Sequence, residues 1–366
     1  MKVICDGLDL SDAVLKVSKA LAVKSTNPVL EGIKIVAEND CLTLIATDLE
    51  ITIEKKIKAD VIEEGETVVV GKYFVDIVKK LESEQVELSR LYDAGLKIKY
   101  NDSESELQVF SAETFPKIKM EDKENFFKLN GAQFREVVER TVVACSSDDS
   151  RPILKGCLFD VENGTLTTVA LDGYRMAVVK KQVEASGDFK AVVPARTLNE
   201  IVRLIENNED EITIYIQNNN LYLQVDNTAI YSRLIEGEFV KYNHILPTSF
   251  ENSVTVKKSD FLNSIERASI VTRSERFNVI RFDIKENVMS VLAKSEVGNV
   301  FDNVPINLTG KDMLIAFNGK YIGEYIKIIN EEFITLHLNS PIDPCVITAV
   351  GKEDYIYLVL PVRINN

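Results

Sequence analysis

Cysteine is scarce and unpatterned. Cys5, Cys41, Cys145, Cys157 and Cys345 are odd in number, and no two of them form a C-x-x-C pair. Reduced, mostly buried thiols are therefore expected, with no disulfide framework. Two histidines, His244 and His337, leave little material for a zinc site or a histidine-based triad, so no metal and no cofactor are expected. Neither G-x-G-x-x-G nor G-x-x-x-x-G-K-[ST] occurs, which removes the two common nucleotide cradles. The 16 glycines and 9 prolines make up about 7% of the chain against roughly 12% in average usage. That argues against disorder, collagen-like sequence and long linkers. The longest apolar run, Tyr355 to Val362, is about eight residues where a membrane span needs about 20. The opening MKVICDGLDLSDAV lacks the apolar stretch of a signal peptide, and a soluble, cytoplasmic protein is expected. What is present is 366 residues with an ordinary 45% apolar fraction and a formal charge of −14, a length that suits two or three domains.

The chain repeats itself. PVLEGIKIVAENDCLTLIATD (28–48) returns without a gap as PILKGCLFDVENGTLTTVALD (152–172), with Pro28/Pro152, Leu30/Leu154, Gly32/Gly156, Leu42/Leu166, Thr43/Thr167, Ala46/Ala170 and Asp48/Asp172 identical. A fainter third copy is VMSVLAKSE (288–296). Leu10, Ala13, Val14 and Val17 recur as Phe134, Val137, Val138 and Thr141, and again around Phe261, Ile265 and Ala268. This is the spacing of a helix with one buried face. A second helix signal recurs as KYFVDIVKKL (72–81), RTLNEIVRLI (196–205) and KYIGEYIKII (320–329), and an alternating strand pattern follows each. QNNN (217–220) reads as a hairpin turn. Each copy therefore reads strand, helix, strands, helix, strands. The expected fold class is α+β: three tandem similar domains with helices on one face of mostly antiparallel sheets. The expected domains are 1–120, 126–247 and 248–366, with boundaries in the polar, proline-marked stretches PKIKMEDKEN and PTSFENS.

Overall acidity normally argues against nucleic acid, but the charge is unevenly placed. The stretches expected to be helical (9–24, 72–81, 131–146, 196–205, 257–276 and 320–327) hold 17 Lys and Arg against 10 Asp and Glu. Everything else is strongly negative. Lys72, Arg196 and Lys320 occupy one repeat position at the start of the second helix. A cation there opposes the helix macrodipole, and its threefold recurrence suggests an anionic partner, although solvated helix faces explain most such charges. Two other readings compete. A hydrolase or transferase using buried carboxylates needs a polar catalytic cluster in one repeat alone, and none is found. A peptide-binding scaffold with no anionic partner is disfavoured, though weakly, by the charge separation.

The motifs ATDLE (46–50), TTVALDGYRMAVV (167–179), FVKYNHILP (239–247) and YLVLPVRI (357–364), with the threefold repeat, make the whole chain resemble the bacterial DNA polymerase III β subunit family, the sliding clamps. The resemblance implies three similar domains per chain and two chains paired head to tail into a ring, with helices lining the inside and antiparallel sheets outside. It implies that the ring encircles double-stranded DNA without reading its sequence and tethers the replicative polymerase for processive synthesis. It implies no catalytic residue and no cofactor. The implied partners are the polymerase α subunit, the clamp-loader δ subunit, repair polymerases and other proteins carrying Leu/Phe-anchored peptides. Carried over residue by residue, the groove for such peptides is Leu154, Leu171, Gly173, Tyr174, Arg175, Met176, Val240, His244, Ile245, Ile342, Pro344, Leu358, Leu360, Pro361, Val362 and Arg363. The implied DNA-binding residues are Lys24, Lys72, Arg151, Arg196 and Lys320. The implied dimer interface sets Leu107 and Val109 against Ile270 and Val271. LDGYR stands where TDGHR is usual in the family, and FVKYNHILP where FPDYRRVLP is usual.

Overall fold

The repeated period-3.6 patterns fold as six α-helices among the described residues of a computed structural model: α1 Gly7–Val17, α2 Gly71–Val78, α3 Gly131–Val142, α4 Ala195–Leu204, α5 Lys258–Thr272 and α6 Gly319–Ile328. The structure describes residues 1–81, 85–91, 95–117, 125–275, 278–352 and 354–363. The expected domain ends at 120 and 366 lie outside them, as does most of the PKIKMEDKEN stretch. The buried faces are the expected ones: Leu10, Ala13, Val14 and Val17 on α1, Phe134, Val137, Val138 and Thr141 on α3, and Phe261, Ile265 and Ala268 on α5. The first helices are shorter than the sequence pattern suggested. α1 ends at Val17 in a 3-10 turn, Ser18–Ala20, where the Ser18 hydroxyl donates to the Leu15 carbonyl (2.8 Å). Lys24 is thus in the following loop and not on the helix. α3 stops at Val142 and α5 at Thr272, because the serine- and charge-rich stretches that follow offer no apolar face to bury.

Two of the hairpins turn on pairs of left-handed Asn or Asp residues. Asn218 and Asn219 (φ 47° and 60°) join strands Glu211–Gln217 and Asn220–Val225, and Asn39 with Asp40 (φ 50° and 56°) join Gly32–Glu38 to Cys41–Thr47. Two successive left-handed residues are what a type I′ turn demands. All recorded strand pairings are antiparallel.

The strands fall into two compact units. The first comprises residues 1–134, 184–186 and 196–234 and holds one sheet of thirteen strands among the described residues. It joins the first repeat to part of the second through strand Ile51–Glu63, which pairs with Thr228–Arg233 in the register Lys55↔Thr228 to Ile51↔Ser232. The second unit comprises 135–183, 187–195 and 235–366 and, among the described residues, holds one sheet of twelve strands. There strand Arg175–Gln182 pairs with Tyr355–Val359, Arg175↔Val359 to Val179↔Tyr355. The sheets therefore run across the repeat boundaries, and the middle repeat gives strands to both. In each unit the same repeat strand is covered by the same strand of the next repeat, so its edge groups are hydrogen-bonded. Ion pairs recur one repeat apart as well: Lys16 with Glu206 in the first unit, Arg140 with Glu331 (3.8 Å) in the second. Among the described residues no helix is long and apolar enough to cross a membrane.

Candidate functional site

The second unit has an apolar floor built from two repeats. Leu154, Leu158, Val169, Leu171, Met176, Val178, Val192, Phe239, Val346 and Leu358 form one buried cluster, with Tyr242, Leu246 and Phe250 packed against it. Four expected groove residues, Leu154, Leu171, Met176 and Leu358, are thus floor and fully sequestered. Most of the others lie on segments that adjoin the cluster residues in sequence. Val240, His244 and Ile245 lie in the segment whose Phe239, Tyr242 and Leu246 pack on the cluster, and all three are exposed. Ile342 is 69% exposed and, with half-buried Pro344, precedes strand Cys345–Ala349. After strand Tyr355–Val359 the chain is pinned: Leu360 N donates to the Tyr174 carbonyl and Val362 N to the Ala316 carbonyl (both 2.8 Å). Leu360 and Arg363 stay exposed while Pro361 and Val362 are half-buried. Exposed aliphatics above a buried apolar floor are what an extended peptide with Leu or Phe anchors requires.

Local sequence sets the turn beside this floor. Asp172 Oδ1 accepts from Tyr174 N (2.9 Å) and Arg175 N (3.0 Å), with Gly173 between them at φ 92°. Asp48 makes the same turn in the first unit, accepting from Glu50 N (3.0 Å) and Ile51 N (2.9 Å), with Leu49 at φ 76°. Tyr174, 60% exposed, stacks on Tyr321 (centroids 6.4 Å, planes 27° apart).

Arg175 is not an open groove contact. It is 8% exposed, its Nε donates to Asp172 Oδ2 (3.0 Å), its Nη1 meets Glu324 of α6, and its guanidinium lies 4.3 Å over the Tyr321 ring. Burial works against its charge, but Tyr357 and Glu324 outweigh that and hold the proton more firmly than in water. Arg175 therefore ties the groove turn to α6. Tyr321 and Glu324 were not singled out from the sequence. The available signal was positional: Tyr321 follows the repeated basic residue as Tyr73 does, and Glu324 shares its repeat position with Asp76 and Glu200.

The basic residues divide by surroundings. Lys72, Arg196 and Lys320 are each the second residue of their helices, as the repeat implied. Lys72 is exposed, 6.0 Å over the Tyr73 ring. Lys24 is exposed on its loop. Arg196 pairs with Asp48 and donates to the Lys19 carbonyl (3.1 Å), so its charge is largely answered within the chain. Lys320 reaches Glu324 at 3.8 Å. Lys320 and exposed Arg151 line one cavity of about 550 Å³ together with Gly173, Tyr174, Arg175, Tyr321 and Cys145. Residues expected to touch DNA and residues expected to hold peptide thus share a wall.

The expected interface residues sit beside incomplete sheet edges. Leu107 and Val109 lie half-buried on strand Ser103–Phe110. Among the described residues, 103–108 of that strand pair on one side only, with Gly95–Tyr100, the remaining contact being Val109 and Phe110 with Val69 and Val68. Ile270 is 64% exposed and Val271 half-buried on α5. In strand Gly298–Thr309, residues 298–305 pair with Val288–Ser295 and, among the described residues, with nothing on the other side.

Comparison with known proteins covers nearly the whole chain. Family models described as the N-terminal, central and C-terminal domains of the DNA polymerase III beta subunit match residues 1–119, 128–241 and 243–363. The beta sliding clamp of Halalkalibacterium halodurans is 30% identical over 362 residues, 95% of each chain. That of Staphylococcus aureus is 29% identical over 356 residues, 94% of each. Among solved structures, the DNA polymerase sliding clamp from Bacillus subtilis superposes with a TM-score of 0.96 at 26% identity, and the DNA polymerase III beta subunit from Thermotoga maritima with 0.92 at 28%, each over 100% of both chains.

Proposed function

The chain belongs to the DNA polymerase III beta subunit family, the non-catalytic sliding clamps that confer processivity, and from that premise we propose that two copies close head to tail into a ring around duplex DNA. One observation carries this. At both internal junctions the strand that follows the Asp48 or Asp172 turn is covered by the last strand of the next repeat. The third repeat's counterpart, residues 298–305, and the first repeat's last strand, 103–108, have no such partner among the described residues. Each is the missing half of the other, so a second copy satisfies both.

The three repeats, 1–120, 126–247 and 248–366, then give a ring of six similar parts, with helices inward. Lys24, Lys72, Arg151 and Lys320 supply phosphate contacts, and Arg196 supplies the weakest because Asp48 already holds it. Such contacts position without reading bases, and retention comes from ring closure. The groove over Leu154, Leu171, Met176 and Leu358 takes Leu/Phe-anchored peptides of the polymerase α subunit, the clamp-loader δ subunit and other replication proteins in the cytoplasm. The test is to load the protein onto nicked circular DNA with a clamp loader and then cut the circle. Loss of bound protein on linearisation is expected; retention at the level of the uncut circle sinks the encircling mode.

A further inference from the structure

Cys145 and Cys157 are neighbours in space. Their Sγ atoms are 3.5 Å apart, and Cys157 Sγ is also 3.6 Å from Thr141 Oγ1. The other buried thiols are placed differently: Cys5 and Cys345 lean on the carbonyls of Val86 and Val346 (3.8 Å each). Cys157 is fully buried on strand Gly156–Glu162. Cys145 follows α3, is half-buried, and lines the cavity that Asp172, Tyr174 and Arg175 also line. The next residue hooks onto the groove floor, because Ser146 N donates to the Leu154 carbonyl (2.8 Å).

We propose that this thiol pair closes to a disulfide when a hydroperoxide enters the cavity, and that closure weakens peptide binding in the adjoining groove; the second half rests on the groove being the peptide site. The atoms balance in two steps. Cys145 sulfur attacks the peroxide O–O bond, takes OH to become a sulfenic acid, and releases water. Cys157 sulfur then displaces that OH, which leaves as water with the Cys157 proton. The two sulfurs lose two electrons and hydrogen peroxide is reduced to two waters. A sulfur–sulfur bond of about 2.05 Å requires the atoms to approach by about 1.5 Å. That draws the 145–151 loop toward Cys157 and loosens the hook on Leu154. The thiol contact with Cys157 and burial hold Cys145 protonated above the usual thiol range, so closure is slow and answers sustained exposure.

The full chain is incubated with hydrogen peroxide, freed of peroxide, unfolded in denaturant so that every remaining thiol is accessible, labelled with a maleimide and mapped by mass spectrometry. Cys5, Cys41 and Cys345 should keep the label. Cys145 and Cys157 should lose it together, as a linked pair two hydrogens lighter that a dithiol reductant reopens. Calorimetry with a synthetic Leu/Phe-anchored peptide should show affinity at least about threefold weaker in the closed form. The Cys145→Ser variant, and Cys157→Ala as a second, should bind peptide alike before and after peroxide. Continued labelling of both cysteines overturns the bridge. A closed bridge with unchanged peptide affinity overturns its effect on the groove. A reduced protein that binds no peptide refutes the groove reading and the regulatory half with it, while labelling still decides the bridge.

Discussion

Replacing Ile270 with Asp tests ring closure where the structure leaves apolar surface uncovered. Ile270 is 64% exposed in the single chain. Full burial of an isoleucine side chain is worth about 1.5–3 kcal/mol, so covering the exposed part gives roughly 1–2 kcal/mol per junction. A head-to-tail ring of two copies has two junctions, each containing Ile270 once, so the loss counts twice, about 2–4 kcal/mol. At about 1.4 kcal/mol per decade this weakens dimerisation roughly 30- to 1,000-fold. The buried, unpaired carboxylate adds to that. Sedimentation velocity over a dilution series should show the parent as dimer where the variant is monomer. Ile62→Asp is the control, because Ile62 is similarly exposed (55%) but stands away from both open edges. If Ile270→Asp stays dimeric at every dilution, or if Ile62→Asp dissociates equally, the complementarity of the two open strand edges is not what joins the copies.

Truncating Leu360, Pro361 and Val362 should abolish binding of a Leu/Phe-anchored peptide and leave the dimer intact, since burying one Leu and one Phe is worth roughly 3–6 kcal/mol; calorimetry finding parental affinity would place the site elsewhere. Arg175→Met leaves the mostly buried Asp172 without its cation and should destabilise by roughly 3 kcal/mol, read as a lowered urea midpoint for the unit containing α6. Changing Lys24 and Lys72 to Glu should weaken duplex binding for every sequence alike and flatten its salt dependence by about 0.9 in log–log slope per lost contact, with peptide affinity in the groove as the internal control. Burial holds His337 below its ordinary value, so its contribution to stability is full above about pH 6.5 and is lost as pH falls through the lower folded value; His337→Gln should remove that limb from a stability–pH curve between pH 7 and 5.

Local periodicity carried much of the organisation into the sequence. The repeat, the buried faces of α1, α3 and α5, the Asn218–Asn219 turn and the placement of Lys72, Arg196 and Lys320 depend on residues within a turn or two, so they were legible without coordinates. The likeness of ATDLE and TTVALDGYRMAVV to one family suggested a groove before any packing was known. Helix ends were less legible: Lys24 falls on a loop because a 3-10 turn after Val17 ends α1 early. Only the tertiary structure decided which strand covers which. The pairing of Ile51–Lys55 with Thr228–Ser232 joins segments far apart in sequence, and the strand patterns carry no mark of partner choice, because backbone hydrogen bonds at a sheet edge are the same for every strand. The same distance hid the role of Arg175. Its place in TTVALDGYRMAVV suggested a groove residue but not that Glu324 and Tyr321 of α6 would meet its guanidinium. A charge is kept buried by what surrounds it in space, and for Arg175 and for the Cys145–Cys157 contact those neighbours lie on separate elements that only folding brings together.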